Sequence, residues 1–234
     1  MEKDTTKHVV VTGAGRGIGA AIASHLAARG CFVHACARES APSDDRVHLS
    51  NVDIQDRNAV AHWAATVRER TDTIDALINN AAVLGERTGF SDVSADSWHL
   101  ILQTNILGTI WVTRAFLPLL KENPGTTIIN IGSVLGRFGR AGWSPYSVSK
   151  FALEGLTEVL AQELAGHGVR VLTIHPSRVG TRLRREAYGE DETVPEQNLR
   201  HLLDAVTWLL ESPEVPLSGH AFSVSDLPYW GGGP

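Results

Sequence analysis

Sulfur is scarce in this 234-residue chain, which has two cysteines and one methionine, Met1. Cys31 and Cys36 stand five apart on one β-rich stretch. Their side chains should face opposite sides, about 16 Å apart, so they cannot pair and a disulfide scaffold is excluded. Long apolar runs are also missing. The most apolar stretch, Ile106 to Leu120, is interrupted by Arg114 and Pro118 and is expected to fall short of a membrane span. An excess of positive charge is absent: 21 Lys and Arg against 26 Asp and Glu leave a net −5. With a pI of about 6.0, that balance argues against a general nucleic-acid binder. The ten histidines show neither HExxH nor another paired ligand spacing, so no metal site is expected. Met1-Glu2-Lys3-Asp4 runs almost directly into Val9-Val10-Val11, which leaves no room for a signal peptide. The expectation is a cytoplasmic protein with no membrane, nucleic-acid or metal partner.

What is present is an ordinary globular composition, 43% apolar and 20% charged. At this length close to three quarters of the extended chain's surface can be buried, enough for one domain over residues 1–234. No Pro/Gly/Ser-rich linker, charge block or internal repeat divides it. Short β-rich runs alternate with amphipathic segments. Strands are predicted at His8–Val11, Cys31–Ala37, Val47–Val52, Ile74–Ile78, Thr127–Ile131, Val169–Ile174 and His220–Val224. Helices are predicted after Gly17 (apolar at Ile18, Ala21, Ile22 and Leu26, stopped by Gly30), and over Asn58–Arg70, Ala95–Lys121, Pro145–Gly166 and Gln197–Leu210. Pro118 is expected to kink or end the long one. Strands apolar on both faces and separated by helices imply an α/β fold. It should be a doubly wound, mostly parallel, Rossmann-like sheet with helices on both faces. Ligands bind there beyond the carboxyl ends of the strands.

The first such end carries Thr12-Gly13-Ala14-Gly15-Arg16-Gly17-Ile18-Gly19. Glycines let backbone approach a phosphate closely, and a helix N-terminus adds free N–H groups. Between a first strand and an amphipathic helix, this is where a dinucleotide fingerprint belongs. The second strand ends in Ala37-Arg38 with no carboxylate at that point, and Arg16 adds a second guanidinium. Arginines suit a 2′-phosphate, so NADP(H) is expected in preference to NAD(H).

Tyr146 and Lys150 lie four apart, on one helical face. A free phenol titrates at about 10 and transfers protons poorly at neutral pH, whereas a neighbouring cation favours its charged form. Ser133 follows the strand Thr127–Ile131 at its carboxyl end. Together TGxxxGxG, Asn79-Asn80-Ala81-Ala82, Asn105, Ser133 and Tyr146…Lys150 resemble the short-chain dehydrogenase/reductase family, in order and interval, over essentially the whole chain. Members similar to 3-oxoacyl-carrier-protein reductase and carbonyl reductase come nearest.

The resemblance implies an oxidoreductase that moves hydride between a nicotinamide and a carbonyl or secondary alcohol. It implies a tetrad in which Ser133 holds the substrate oxygen, Tyr146 is acid or base, Lys150 supports phenolate and the nicotinamide ribose, and Asn105 anchors a relay water. Asp53 would meet adenine, Asn79 the adenine ribose, and Ala81 the same wall. Pro176, Val179 and Thr181 would border the carboxamide. Ala82 and Ser177 stand where the family commonly has glycine. A non-catalytic NAD(P)-sensing protein of this fold is the alternative, against which the intact tetrad speaks.

The lid is expected between Thr181 and Leu199, opening on Arg182-Leu183-Arg184-Arg185. With Arg137 and Arg140 this run reads either as a solvated face or as a basic rim for an anionic or thioester-linked substrate. Leu135 and Trp143 are expected at the mouth. The resemblance further implies a homodimer or homotetramer, and Ile106, Ile110, Trp111, Phe151, Leu156, Val159 and Leu160 offer apolar surface for one. Leu227-Pro228-Tyr229-Trp230 would seal a neighbour's site or fold on its own subunit, and Gly231-Gly232-Gly233 would fray.

Overall fold

The computed structural model describes residues 6–39, 45–189, 193–212 and 217–226. The expectations for the tail, 227–234, lie outside the described residues. Strand β1 (His8–Thr12) feeds helix α1 (Gly17–Ala28), which is followed by β2 (Phe32–Ala37) and β3 (Val47–Asn51). Helix α2 (Arg57–Arg68) starts on Asp56, whose side chain accepts from the Asn58 and Ala59 N–H groups. Next come β4 (Ala76–Asn79), α3 (Ala95–Leu102), a π-helical stretch at Gln103–Gly108, and α4 (Thr109–Lys121). The chain ends through β5 (Thr127–Ile131), α5 (Ser144–Leu164), β6 (Arg170–His175), α6 (Arg182–Tyr188), α7 (Gln197–Glu211) and β7 (Ala221–Ser223).

All seven strands pair in parallel in the order β3-β2-β1-β4-β5-β6-β7. The order reverses between β1 and β4, the switch point where crevices open in such sheets. One face packs on α1 and α7 through Val9, Val11, Ile22, Leu26, Leu172 and Val206. The other packs on α2, α4 and α5 through Val10, Trp63, Leu77, Phe116, Ile128 and Leu164. Cys31 belongs to the first cluster and Cys36 to the second, both unpaired, as opposite faces require.

Pro118 does not behave as expected. Helix α4 runs through it to Lys121. Arg114 and Pro118 are both exposed, so the carbonyl that proline leaves without a donor faces water. Uninterrupted, Ala95–Lys121 is long and apolar enough, by length and composition, to cross a membrane, which corrects the reading of a broken run. Here it lays Val112, Phe116 and Leu120 into the core. The irregularity comes earlier, in the π-helical turn that contains Asn105.

A polar row crosses the sheet beneath the switch point. Asn79, Asn130 and Thr173 are register neighbours on β4, β5 and β6. Asn79 Nδ2 donates to Asn130 Oδ1 (2.9 Å) and Thr113 Oγ1 (3.1 Å), and Asn130 Nδ2 donates to Thr157 Oγ1 (2.8 Å). Thr157 and Thr173 share a 2.7 Å bond. Five elements are thereby stitched together in a low-dielectric interior, where hydrogen bonds between buried groups fix position strongly.

Candidate active site

A cavity of about 830 Å³ opens at the carboxyl ends of the strands. Its wall at one end is the glycine loop. Gly13 and Gly17 take left-handed backbone, φ +66° and +61°. A Cβ on Gly13 would stand 2.8 Å from Ala81 Cα, and one on Gly15 would stand 2.9 Å from Ala37 Cβ. Arg16 precedes α1 without capping it through its side chain, so the helix's first N–H groups remain available to an anion. Gly15, Ile18, Arg38, Asp53, Ala81, Pro176, Val179 and Thr181 line the same cavity.

Gly19 and Asn79, both expected at the cofactor, lie elsewhere. A Cβ on Gly19 would strike Asn80 Nδ2 and the Gly13 carbonyl, each at 2.4 Å, so that glycine allows the loop to close on its helix. Asn79 belongs to the polar row, and Asn80 borders the cavity instead. Asn80 N–H donates to Thr12 Oγ1 (3.0 Å) and its amide to Thr12 O (2.9 Å). Sequence reasoning also missed Glu39, which lines the cavity and approaches Arg16 at 3.9 Å. With side chains 54% and 86% exposed, that pair contributes little.

At the other end Gly132 and Ser133 follow β5. Gly132 N–H donates to Ile174 O (2.8 Å), and His175 leaves no space for a Cβ there. Ser133 Oγ accepts from Leu135 N–H (3.2 Å), and its hydroxyl lies close enough to the Tyr146 phenol to favour the charged form. Tyr146 and Lys150 project from α5, 9% and 4% exposed. Burial pushes the phenol up to about 12, opposed by the Ser133 hydroxyl and aided by Tyr188. Burial brings the Lys150 ammonium down to about 8. Lys150 Nζ donates to Ile131 O (2.8 Å) and sits 5.6 Å from the centre of the Tyr146 ring.

Asn105 packs behind these groups, outside the cavity lining. Its Nδ2 donates to Val83 O and Ser149 Oγ (3.0 Å each), and its Oδ1 accepts from Val83 N–H (2.9 Å). Beneath the Ser133 turn runs a second network. His175 Nε2 meets Glu154 Oε1 at 2.7 Å, and Arg137 Nε donates to Glu154 Oε2 at 2.9 Å. Burial lowers the His175 pKa, against the raising influence of Glu154. Gly136 carries no side chain because Glu154 Oε1 and the Lys150 carbonyl occupy that space.

A phosphate-cradling loop thus faces a serine–tyrosine–lysine cluster across one cleft. The chain matches the short chain dehydrogenase family model over residues 7–192. It is a short-chain dehydrogenase.

An NADPH-dependent pterin aldehyde reductase of Arabidopsis thaliana is 31% identical over 211 residues, 86% of this chain and 87% of that protein. The 3-oxoacyl-[acyl-carrier-protein] reductase FabG of Vibrio harveyi is 29% identical, over 94% and 96%. Among solved structures, a short chain dehydrogenase of Shigella flexneri 2a complexed with NADP is 25% identical. It superposes with a TM-score of 0.83, over 94% of this chain and 97% of that one.

The mouth of the dehydrogenase's cleft is aromatic and basic. Trp143 meets Tyr146 edge-on (centroids 6.2 Å apart) and lies tilted on Tyr188 (5.4 Å). Leu135 lines it as expected, and Arg140, Arg182 and Arg184 line it too, but Arg137 does not. Its guanidinium turns away to Glu154 and to Ala221 O (2.8 Å). Arg185 also stays outside the lining, as does Arg87, which the sequence did not single out but which stands over the Trp143 ring, 4.4 Å from its centre. The lid begins as α6, capped by Thr181 Oγ1 accepting from Arg184 N–H (3.1 Å).

Proposed function

We propose that this short-chain dehydrogenase transfers hydride between NADP(H) and a carbonyl or secondary-alcohol substrate, with Tyr146 as the acid/base. The observation that carries the reading is the convergence of Ser133, Tyr146 and Lys150 on one cavity with the Gly13–Ile18 loop. The positions where a Cβ would strike Ala81 and Ala37 form a backbone cradle that suits a pyrophosphate. Arg16 and Arg38 at that end favour the 2′-phosphate. The NADPH-dependent plant relative and the NADP complex from Shigella support the same choice. The bound nicotinamide supplies or accepts the hydride; the protein orients and moves protons.

Ser133 donates to the substrate oxygen and shares its developing charge. Tyr146, held protonated at neutral pH by burial, gives that oxygen its proton during reduction. Lys150 supplies a cation beside the phenol and reaches for the nicotinamide ribose. Asn105 positions this group from behind, tying Val83 in the loop after β4 to Ser149 on α5. The reading assigns the enzyme to the cytoplasm.

The test is a panel of ketones, quinones and β-ketoacyl thioesters assayed with NADPH and with NADH. We expect turnover with kcat/KM for NADPH at least about tenfold above NADH, a difference of about 1.4 kcal/mol. A preference for NADH overturns the cofactor assignment. Absence of turnover across the panel in an enzyme that binds NADPH overturns the activity.

A further inference from the structure

We propose that Arg87 and Arg140 form an anion clamp, holding a carboxylate or phosphate carried by the substrate at the end opposite its reacting carbonyl. The inference rests on the reductase reading above and adds the substrate's charge. Arg87 stacks 4.4 Å from the Trp143 ring centre and 5.6 Å from that of Tyr188. Arg140 lies 5.8 and 5.9 Å from the same two rings, and its Nη1 donates to the Tyr188 hydroxyl at 3.4 Å.

An arginine with no task at a surface extends into water. These two, from the loop after β4 and the turn before α5, instead converge on one aromatic pair; Arg140 and both rings line the cavity, and Arg87 borders it through them. Stacking fixes a guanidinium's plane and leaves its edge donors for a planar oxyanion. Neither forms an ion pair with a carboxylate among the described residues. Glu186, the acid on the adjoining lid helix, is engaged by Arg182 at 2.8 Å. The carboxylates that do line the cavity, Glu39 and Asp53, stand at the cofactor end. Among the described residues, a protein of net charge −5 thus presents a positive mouth. Trp143 spans the space between this clamp and Tyr146, so the substrate separates its anion from its carbonyl by a body of about one aromatic ring.

The experiment compares NADPH-dependent reduction of 4-formylbenzoate, 4-formylphenyl phosphate and methyl 4-formylbenzoate by the wild-type enzyme and by R87Q/R140Q. One or both anions should exceed the neutral ester in kcat/KM by at least about tenfold, and the winning anion identifies the group recognised. In R87Q/R140Q that ratio should fall to near one, chiefly through KM, and added salt should erode it in the wild type. Equal rates for anions and ester in the wild type overturn the clamp. So does a variant that slows all three in parallel, because residues that merely latched the lid would act that way. If none of the three aldehydes is reduced, the readout becomes binding. Calorimetric binding of 4-formylbenzoate to the NADP complex then decides the clamp: a Kd weakened about tenfold or more in the variant supports it, and an unchanged Kd overturns it.

Discussion

Lys150 is a buried ammonium whose one hydrogen-bond partner among the described residues, Ile131 O, is a neutral carbonyl. Its pKa is down at about 8, against an ordinary 10.5, because burial disfavours the charge. Between about 8 and 10.5 the unfolded chain therefore holds a proton that the folded chain has released, and stability rises with pH across that window. At neutral pH the fold carries the whole cost of the buried charge, about 3 kcal/mol. Lys150→Met should thus raise thermal stability at pH 7 by about 1–2 kcal/mol, after allowing for the Ile131 carbonyl left unpaired. The gain should shrink as pH is raised toward 10, and turnover should be lost. Unfolding curves of both proteins at pH 7 and pH 10 check this, and a destabilised variant at pH 7 would refute it.

Residues whose chemistry is local were legible in the sequence. Gly13, Gly17, Ser133, Tyr146 and Lys150 sit where strand ends and helical spacing put them. Misplaced residues were those whose direction depends on a neighbour in space. Asn79 turns into the interior because Asn130 lies beside it across the sheet. Arg137 turns from the mouth because Glu154, on another element, takes it. Arg87 had no motif, and only the fold brings it against Trp143.

Helix α5 works on two faces. Its inner face carries Tyr146, Lys150 and Glu154, while Val148, Phe151 and Val159 stand 46–51% exposed on its outer side. Such a stripe on a helix this close to the catalytic groups fits burial against a second copy. Phe151→Glu together with Val159→Glu should convert an assembled enzyme to monomer in sedimentation velocity. A wild type that sediments as monomer, or a variant that stays assembled, would count against that face. Boundaries of the elements came within a few residues of the pattern-based expectation, since buried periodicity is strong there. Pro118 was misjudged because a proline on the water-facing side of a helix, where the carbonyl it leaves without a donor meets water, need not end it. Helix α6 was hidden in a charge run that gives no apolar stripe to read.

Across the whole molecule, seven parallel strands bring their carboxyl ends together. A loop at residue 13, a serine at 133 and a helix at 146 thereby meet on one cavity. The polar row through Asn79, Asn130, Thr157 and Thr173 pins β4, β5 and β6 under that cleft. The architecture matters because a proton donor at the wrong distance is no donor. The most direct measurement is steady-state reduction by Tyr146→Phe, set beside a fluorescence titration of NADPH. The phenyl ring keeps the shape of the cavity and removes the hydroxyl alone. We expect kcat to fall by about 10³ while the NADPH Kd stays within about twofold. A variant that turns over within tenfold of the wild type would contradict the role of that phenol.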